Sequence, residues 1–291
     1  MLEYALIAGL LFGLYFSLIG LGLNLVFGVM RIVNLAHGDF LMLGGFAAYG
    51  LFKLLGLNPV FSIFIVFAVF ALVGWPLYYM LVPRLQAAKD PEMLSLILFF
   101  GLSQVIEACA TIGFGASEYS IPGDVLGSEP WHILNQTFPA SWMISGIAGA
   151  ICIALVYLYL YRTRVGYLTR AVMSQRDEAL STGINVHVVS AFAFGLSLAL
   201  AAVAGVFAPF MFGSILPAMG VAVTITSFTV IVVGSLGQPL GTVLGGMVYG
   251  VALMFMQTYF SSWANLLPYV LLIFILLVRP TGLLGKRVRH A

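Results

Sequence analysis

The stretch "GLYFSLIGLGLNLVFGVMRIVNLAHGDFLMLGG", residues 13–45, places an arginine, an asparagine, a histidine and an aspartate between two apolar, glycine-rich runs. Crossing lipid takes about 20 mostly apolar residues. The first run therefore ends one membrane helix at Arg31, and the second opens another near Asn34. On this count His37 and Asp39 fall about one turn inside the boundary of the second span. Asn34 and His37, three residues apart, share a helix face, and Asp39 is turned away from His37. Three roles suit such a cluster. Asn34 or Asp39 caps a helix start; the cluster marks a broken helix lining a path; or His37 and Asp39 form a catalytic pair. The last lacks a nucleophile at any recognisable spacing.

The rest of the chain has the same character. Hydrophobic residues make up 62% and charged residues 8%, against roughly 25% charged in a soluble domain. Lipid leaves free backbone polar groups unsatisfied, so the spans are helices. The fold expected is all-α: one transmembrane domain over 1–291, a polytopic bundle of eight to nine spans, some of them broken. The spans lie near 4–29, 34–55, 59–82, 93–115, 140–161, 187–213, 219–236, 238–260 and 263–279. The pair flanking "GSLGQPLG", 234–241, is where Gly and Pro suggest a broken or re-entrant segment. The N-terminus has no basic region or cleavage site and reads as the first span, not a removable signal. Cys109 and Cys152 sit in apolar runs and read as packing residues. A net charge of +2 without a basic stripe excludes a nucleic-acid partner.

The cations set an orientation. Arg31, Arg84, Lys89, Arg162, Arg164, Arg170, Arg176, Arg279, Lys286, Arg287 and Arg289 fall on one side, and Lys53 alone on the other. Basic residues accumulate on the cytoplasmic side, so the N-terminus is expected in the periplasm and the C-terminus in the cytoplasm. The longest outer loop, 116–139, contains Glu118, Asp124 and Glu129 and no Lys or Arg.

One cytoplasmic segment, 162–186, is too polar to span. Helix-tolerant residues fill 169–182, with Thr169 as a plausible cap and Gly183 where a left-handed residue would stop the helix. Arg170, Asp177 and Glu178 are expected exposed, and Ala171, Met173 and Leu180 available for packing. A capped element of mixed charge suits docking to a cytoplasmic partner better than a flexible linker does. Within the spans, Ser103, Gln104 and Glu107 share a helix face, either as an interhelical network or as part of a path. Thr224 and Ser227 lie near one face of a later span, where hydroxyls also bond back to their own helix. Asn24 reads as interhelical glue.

"NLAHGDF", "MLGGFAAY", "TRAVMSQRDEALSTGINV", "GSLGQPLGTVLGGMV" and "LLVRPTGLLG", in that order along the chain, resemble the membrane permease subunit of ABC importers for branched-chain amino acids, amides and urea. In that family the segment with the "RA…D…A…GI" pattern is the coupling helix that fits the ATPase subunit. The resemblance implies coupling roles for Arg170, Ala171, Asp177, Ala179, Gly183 and Ile184, with Glu178 beside them. Substrate contacts do not carry over. Asn34, His37, Asp39, Ser103, Gln104, Glu107, Thr224 and Ser227 therefore remain path candidates on their polarity alone.

The sequence has no G-x-x-x-x-G-K-[ST] nucleotide loop. No metal or cofactor is expected on this chain; ATP would be used by a partner. The partners implied are cytoplasmic ATPase subunits, a second permease subunit (identical or homologous), a periplasmic solute-binding protein and the lipid bilayer of the bacterial inner membrane. The cargo expected is a small neutral or zwitterionic solute, branched-chain amino acids first. The rival reading is a self-contained proton-coupled carrier or channel that uses Glu107, His37 and Asp39 as a relay.

Overall fold

The computed structural model describes residues 1–285; Lys286, Arg287 and Arg289, three of the expected cytoplasmic cations, lie outside the described residues. Helix α1, Leu2–Met30, is apolar on all sides and buried along most of its length. It stops at Arg31, which takes the left-handed conformation (φ 57°, ψ 29°) and closes on the Phe27 carbonyl. The chain then doubles back. Residues 32–36 return beside α1 without helix, and α2, His37–Leu55, starts only when His37 reaches the Ile19 carbonyl. Ile19 lies three turns, about 16 Å, before Met30.

Helix α3, Pro59–Gln86, is capped by Asn58, whose side chain accepts from the Val60 amide at 3.0 Å. Helix α4, Pro91–Phe114, is capped in the same way by Asp90 through Met93, at 3.1 Å. Both have Pro at the first helical position, where the missing N–H costs nothing. The connection to α5, Ala140–Arg162, contains a short antiparallel hairpin, β1 Trp131–Ile133 and β2 Gln136–Phe138. Phe138 is fully buried and stacks on Tyr4 at 5.3 Å, which fastens the hairpin to the start of α1. Two short helices follow, α6 Arg164–Ser174 and α7 Arg176–Ser181. Then come α8 Val186–Met211, α9 Met219–Gly234, α10 Pro239–Tyr259 and α11 Leu267–Val278.

The bundle is built around α8 and α1, whose most apolar stretches are 89% and 78% buried; the same measure is 17% for α3, 22% for α4 and 17% for the stretch Ser261–Val278 that contains α11. Outer faces are apolar, with Phe64, Leu72, Ile97, Ile112, Ile273 and Leu277 exposed. That is the reverse of a soluble protein and is stable only against lipid or another apolar chain. Inside, small residues let backbones touch. A methyl group on Gly205 of α8 would run into the Leu41 carbonyl of α2, and one on Gly246 of α10 into Ser17 of α1.

Among the described residues, eight helices are long and apolar enough to cross a membrane, the last being Ser261–Val278, in which a 3-10 turn runs directly into α11. The ninth expected span is shorter than a full crossing: α9 has 16 residues, about 24 Å against roughly 30 Å of hydrocarbon. The expected break at "GSLGQPLG" is instead a tight turn. There Gly237 has φ +75° and donates its amide to Asn24 Oδ1 at 2.7 Å. Asn24 Nδ2 in turn donates to Thr242 Oγ1 at 2.6 Å, so Asn24 does join α1 to α10. The true breaks are 31–36 and the stretch 212–218 before α9. Both cysteines are free thiols, and Cys109 faces outward, not into packing as its apolar run suggests.

Candidate functional site

The two broken segments meet. Thr224 Oγ1 of α9 accepts from the Gly38 amide at 2.8 Å and donates to the Leu35 carbonyl at 3.0 Å, which pins the returning chain. Gly38 rests on the Gly220 carbonyl, and Gly220 packs against Asp39 Oδ1, so no side chain fits at either glycine. Two helix starts thus abut inside the bundle, each with a partial positive charge; the first amides of α2 are satisfied by Asn34, Thr224 and Ala36. Asp39 is wedged between them and α4. It is fully buried, and neither carboxylate oxygen has a hydrogen-bond partner among the described residues. The Ser103 hydroxyl, also buried and without a partner among them, lies beside it, and Glu107 is the nearest like charge, one turn along α4.

His37 faces the opposite way. Its Nε2 donates to the Ile19 carbonyl at 3.0 Å, and Nδ1 has no partner among the described residues. His37 and Asp39 therefore lie three turns inside the end of α1, deeper than the one turn that residue counting suggests. Asn34 precedes α2 and shares no helix face with His37. Its Oδ1 accepts from the Ala36 amide at 3.1 Å in a local turn, and its buried Nδ2 is unpaired among the described residues. Of the remaining path candidates, Gln104 is exposed on the outer face of α4, and Ser227 bonds back to the Val223 carbonyl at 2.7 Å. Of the path candidates, the structure thus brings Asp39, Ser103 and Glu107 together beside the contact of Thr224 with Gly38, while Asn34 bonds within its own turn and His37 faces away.

At the end where α1, α3 and α5 terminate, 162–186 folds as two helices, not the single helix expected. Thr163 is the cap, accepting from Gly166 at 3.0 Å. Thr169, expected as the cap, is inside α6, where its hydroxyl meets the Val165 carbonyl at 2.9 Å and the Tyr159 hydroxyl at 2.7 Å. Gln175 is extended (φ −148°, ψ 100°) and separates α6 from α7. Gly183 (φ +84°) ends α7 as expected, with its amide on Leu180 at 3.0 Å and the Ile184 amide on Ala179 at 3.1 Å.

Arg170 is not the free charge that its position in the sequence suggests. Its Nε donates to the Leu160 carbonyl at 2.9 Å, and the guanidinium stacks on Tyr161 and Tyr167, 4.4 and 4.8 Å from the ring centres. Arg176 Nη2 donates to Gln86 Oε1 at 2.8 Å, tying α7 to α3, and Met173 packs on Gly28 of α1. Ala171 and Ile184 are half-buried and Ala179 buried. Asp177 and Glu178 are exposed as expected, but Leu180 is half exposed beside them and not packed.

The sequence profile of the family described as branched-chain amino acid transport system, permease component, matches residues 5–276. The chain belongs to this family. The permease is 27% identical to the high-affinity branched-chain amino acid transport system permease protein LivH of Escherichia coli, over 96% of its own length and 94% of the relative's. It is 29% identical to the corresponding protein BraD of Pseudomonas aeruginosa, over 97% and 95%. A probable branched-chain amino acid transport permease LivH of Methanocaldococcus jannaschii is 28% identical, over 92% and 88%. No solved structure matches the permease significantly.

With its apolar helices, the permease is a multi-pass membrane protein. Sequence reasoning missed Thr163, Arg176 and Gly220. Thr163 had a readable signal, a hydroxyl just before the helix-forming run. Gly220 had none, because its role is to leave room for a side chain 181 positions earlier, as the separation of Asp39 and Gly220 shows.

Proposed function

We propose that the permease is the transmembrane subunit of an ATP-driven importer that carries branched-chain amino acids across the bacterial inner membrane. The observation that carries this reading is the family match over residues 5–276, with relatives named for branched-chain amino acid transport aligned along nearly their whole length. The N-terminus lies outside and the α6–α7 end in the cytoplasm. Arg31, Arg84, Lys89, Arg162, Arg164, Arg170, Arg176 and Arg279 support this by clustering at or next to the helix ends on that side, with Lys53 at the other.

ATPase subunits dock on α6 and α7 through Asp177, Glu178 and the protruding Leu180. Arg170 holds α6 against α5, so it positions the docking surface and does not contribute its charge. Met173 on α1 and the Arg176–Gln86 bond to α3 pass a push on this element into the bundle. A second permease subunit covers the outer face of α4, where Gln104 would otherwise meet lipid. A solute-binding protein delivers cargo at the hairpin end.

The test is uptake of radiolabelled leucine into proteoliposomes containing the permease, its ATPases and partner subunit. Uptake should require ATP on the ATPase side and the loaded binding protein. Accumulation by the permease alone, driven by a pH gradient without ATP, would instead establish the proton-coupled carrier.

A further inference from the structure

We infer that Asp39, with Ser103 and Glu107, seats the ammonium group of the amino-acid cargo, whose aliphatic side chain enters an apolar groove between α2, α3 and α4. The inference rests on the proposed transport of branched-chain amino acids and assigns where in the bundle that cargo is held.

Asp39 is completely buried, yet both of its oxygens are unbonded among the described residues. The groups that face it there are Ser103, Glu107 and the first turn of α9; none is a cation. A buried carboxyl group stays ionised in a stable bundle only with charge and hydrogen-bond compensation. The start of α9 supplies a partial positive charge, but no hydrogen bond to either oxygen. The cluster offers two carboxylates and one hydroxyl, which can donate a single hydrogen bond. What it lacks is a cation. An ammonium group brings three donors and one positive charge, which is the complement of this set.

The surroundings identify the rest of the ligand. A groove of about 490 Å³ lies between α2, α3 and α4, lined by Leu43, Phe46, Ala47, Val66 and Phe70 and open on its outer side, where Ile65, Val69 and Phe114 are exposed. Leu43 is one turn after Asp39 on the same face of α2, and Phe114 is two turns after Glu107 on the same face of α4. The carboxylates and the apolar lining therefore occupy consecutive levels of one groove. A zwitterion with a branched aliphatic side chain has its charge and its hydrocarbon in that order.

The probe is radiolabelled leucine, with the complete importer in proteoliposomes at saturating loaded binding protein. Asp39→Asn keeps the shape and removes the charge; it should lower the ATP-driven rate at least about tenfold, the scale of a lost charge-assisted hydrogen bond. Its ATPase subunits should still co-purify in full. Ala47→Phe fills the groove and should slow leucine more than valine. An assembled Asp39→Asn importer that moves leucine at the wild-type rate would overturn the ammonium seat and leave the permease function standing. If Asp39→Asn fails to assemble, Ser103→Ala and Ala47→Phe decide: unchanged rates in both would overturn the inference. A wild-type importer that moves no leucine would overturn the cargo reading and this inference together.

Discussion

The break inside the bundle and the α6–α7 element at its end are both polar, and they use their polar groups in opposite ways. In α6–α7 most hydrogen-bonding groups are spent: Thr163 caps, Gly183 closes, Arg170 and Arg176 bond to α5 and α3, and Arg176 Nη1 is the one buried side-chain atom there without a partner among the described residues. At the break Asn34, His37, Asp39 and Ser103 all keep unbonded atoms among the described residues, although each is buried. Satisfied polar groups rigidify a structure, and a cluster of unsatisfied ones is free to take up water or a polar ligand. In the proposed function the end element transmits force and the break meets a solute.

The sharpest way to break that contrast is Thr224→Val, which keeps the volume and removes the one group that satisfies both Gly38 N–H and Leu35 C=O. Each backbone group left unpaired costs roughly 1–3 kcal/mol. The midpoint of thermal unfolding in detergent should fall further than for Arg170→Ala or Thr163→Ala. Of those two, Arg170→Ala has the larger effect, a destabilisation of about 1.5–3 kcal/mol through the lost bond to Leu160, with the stacking on two tyrosines lost as well. Arg170→Lys should not restore it, because an ammonium cannot lie flat on the rings. A lysine variant with wild-type stability would show that α6 is held by charge alone.

Thr163→Ala removes a cap and should cost about 1 kcal/mol, seen as faster amide exchange confined to the first turn of α6. The smallest effect on folding belongs to the double change Asp177→Lys, Glu178→Lys on the exposed face, within about 0.5 kcal/mol. The same variant should nevertheless lose co-purifying ATPase. Retained assembly would remove the docking role from this surface.

Much of this was legible in the sequence, and the failures share a cause. Helix number and rough boundaries follow from hydropathy, because lipid permits few alternatives. The stripe of Ser103 and Glu107 was also visible, since helical spacing puts residues four apart on one face. Depth was not visible. Counting residues from Arg31 puts His37 and Asp39 near a boundary, but the left-handed turn at Arg31 sends the chain back along α1, so the residues that follow move inward. A single backbone angle reversed the count. The cap at Thr169 failed for a different reason: Thr163 competes for the same role, and the helix starts at the earlier signal. The role assigned to Arg170 failed because exposure was inferred from charge, while tyrosine and backbone neighbours from α5 and α6 were waiting to cover it.

The returning chain at Arg31–Ala36 also sets a schedule for biogenesis. The Gly38 amide is bonded by Thr224, 186 residues later in the chain. At ribosomal speeds of 5–20 residues per second, roughly 10–40 s separate the synthesis of donor and acceptor. Until α9 arrives, the start of α2 sits in the insertion machinery or the bilayer with the Gly38 amide and the Leu35 carbonyl open and a carboxylate beside them. The first two helices therefore cannot finish folding as a hairpin, and a chain truncated before α9 should be a substrate for membrane quality-control proteases.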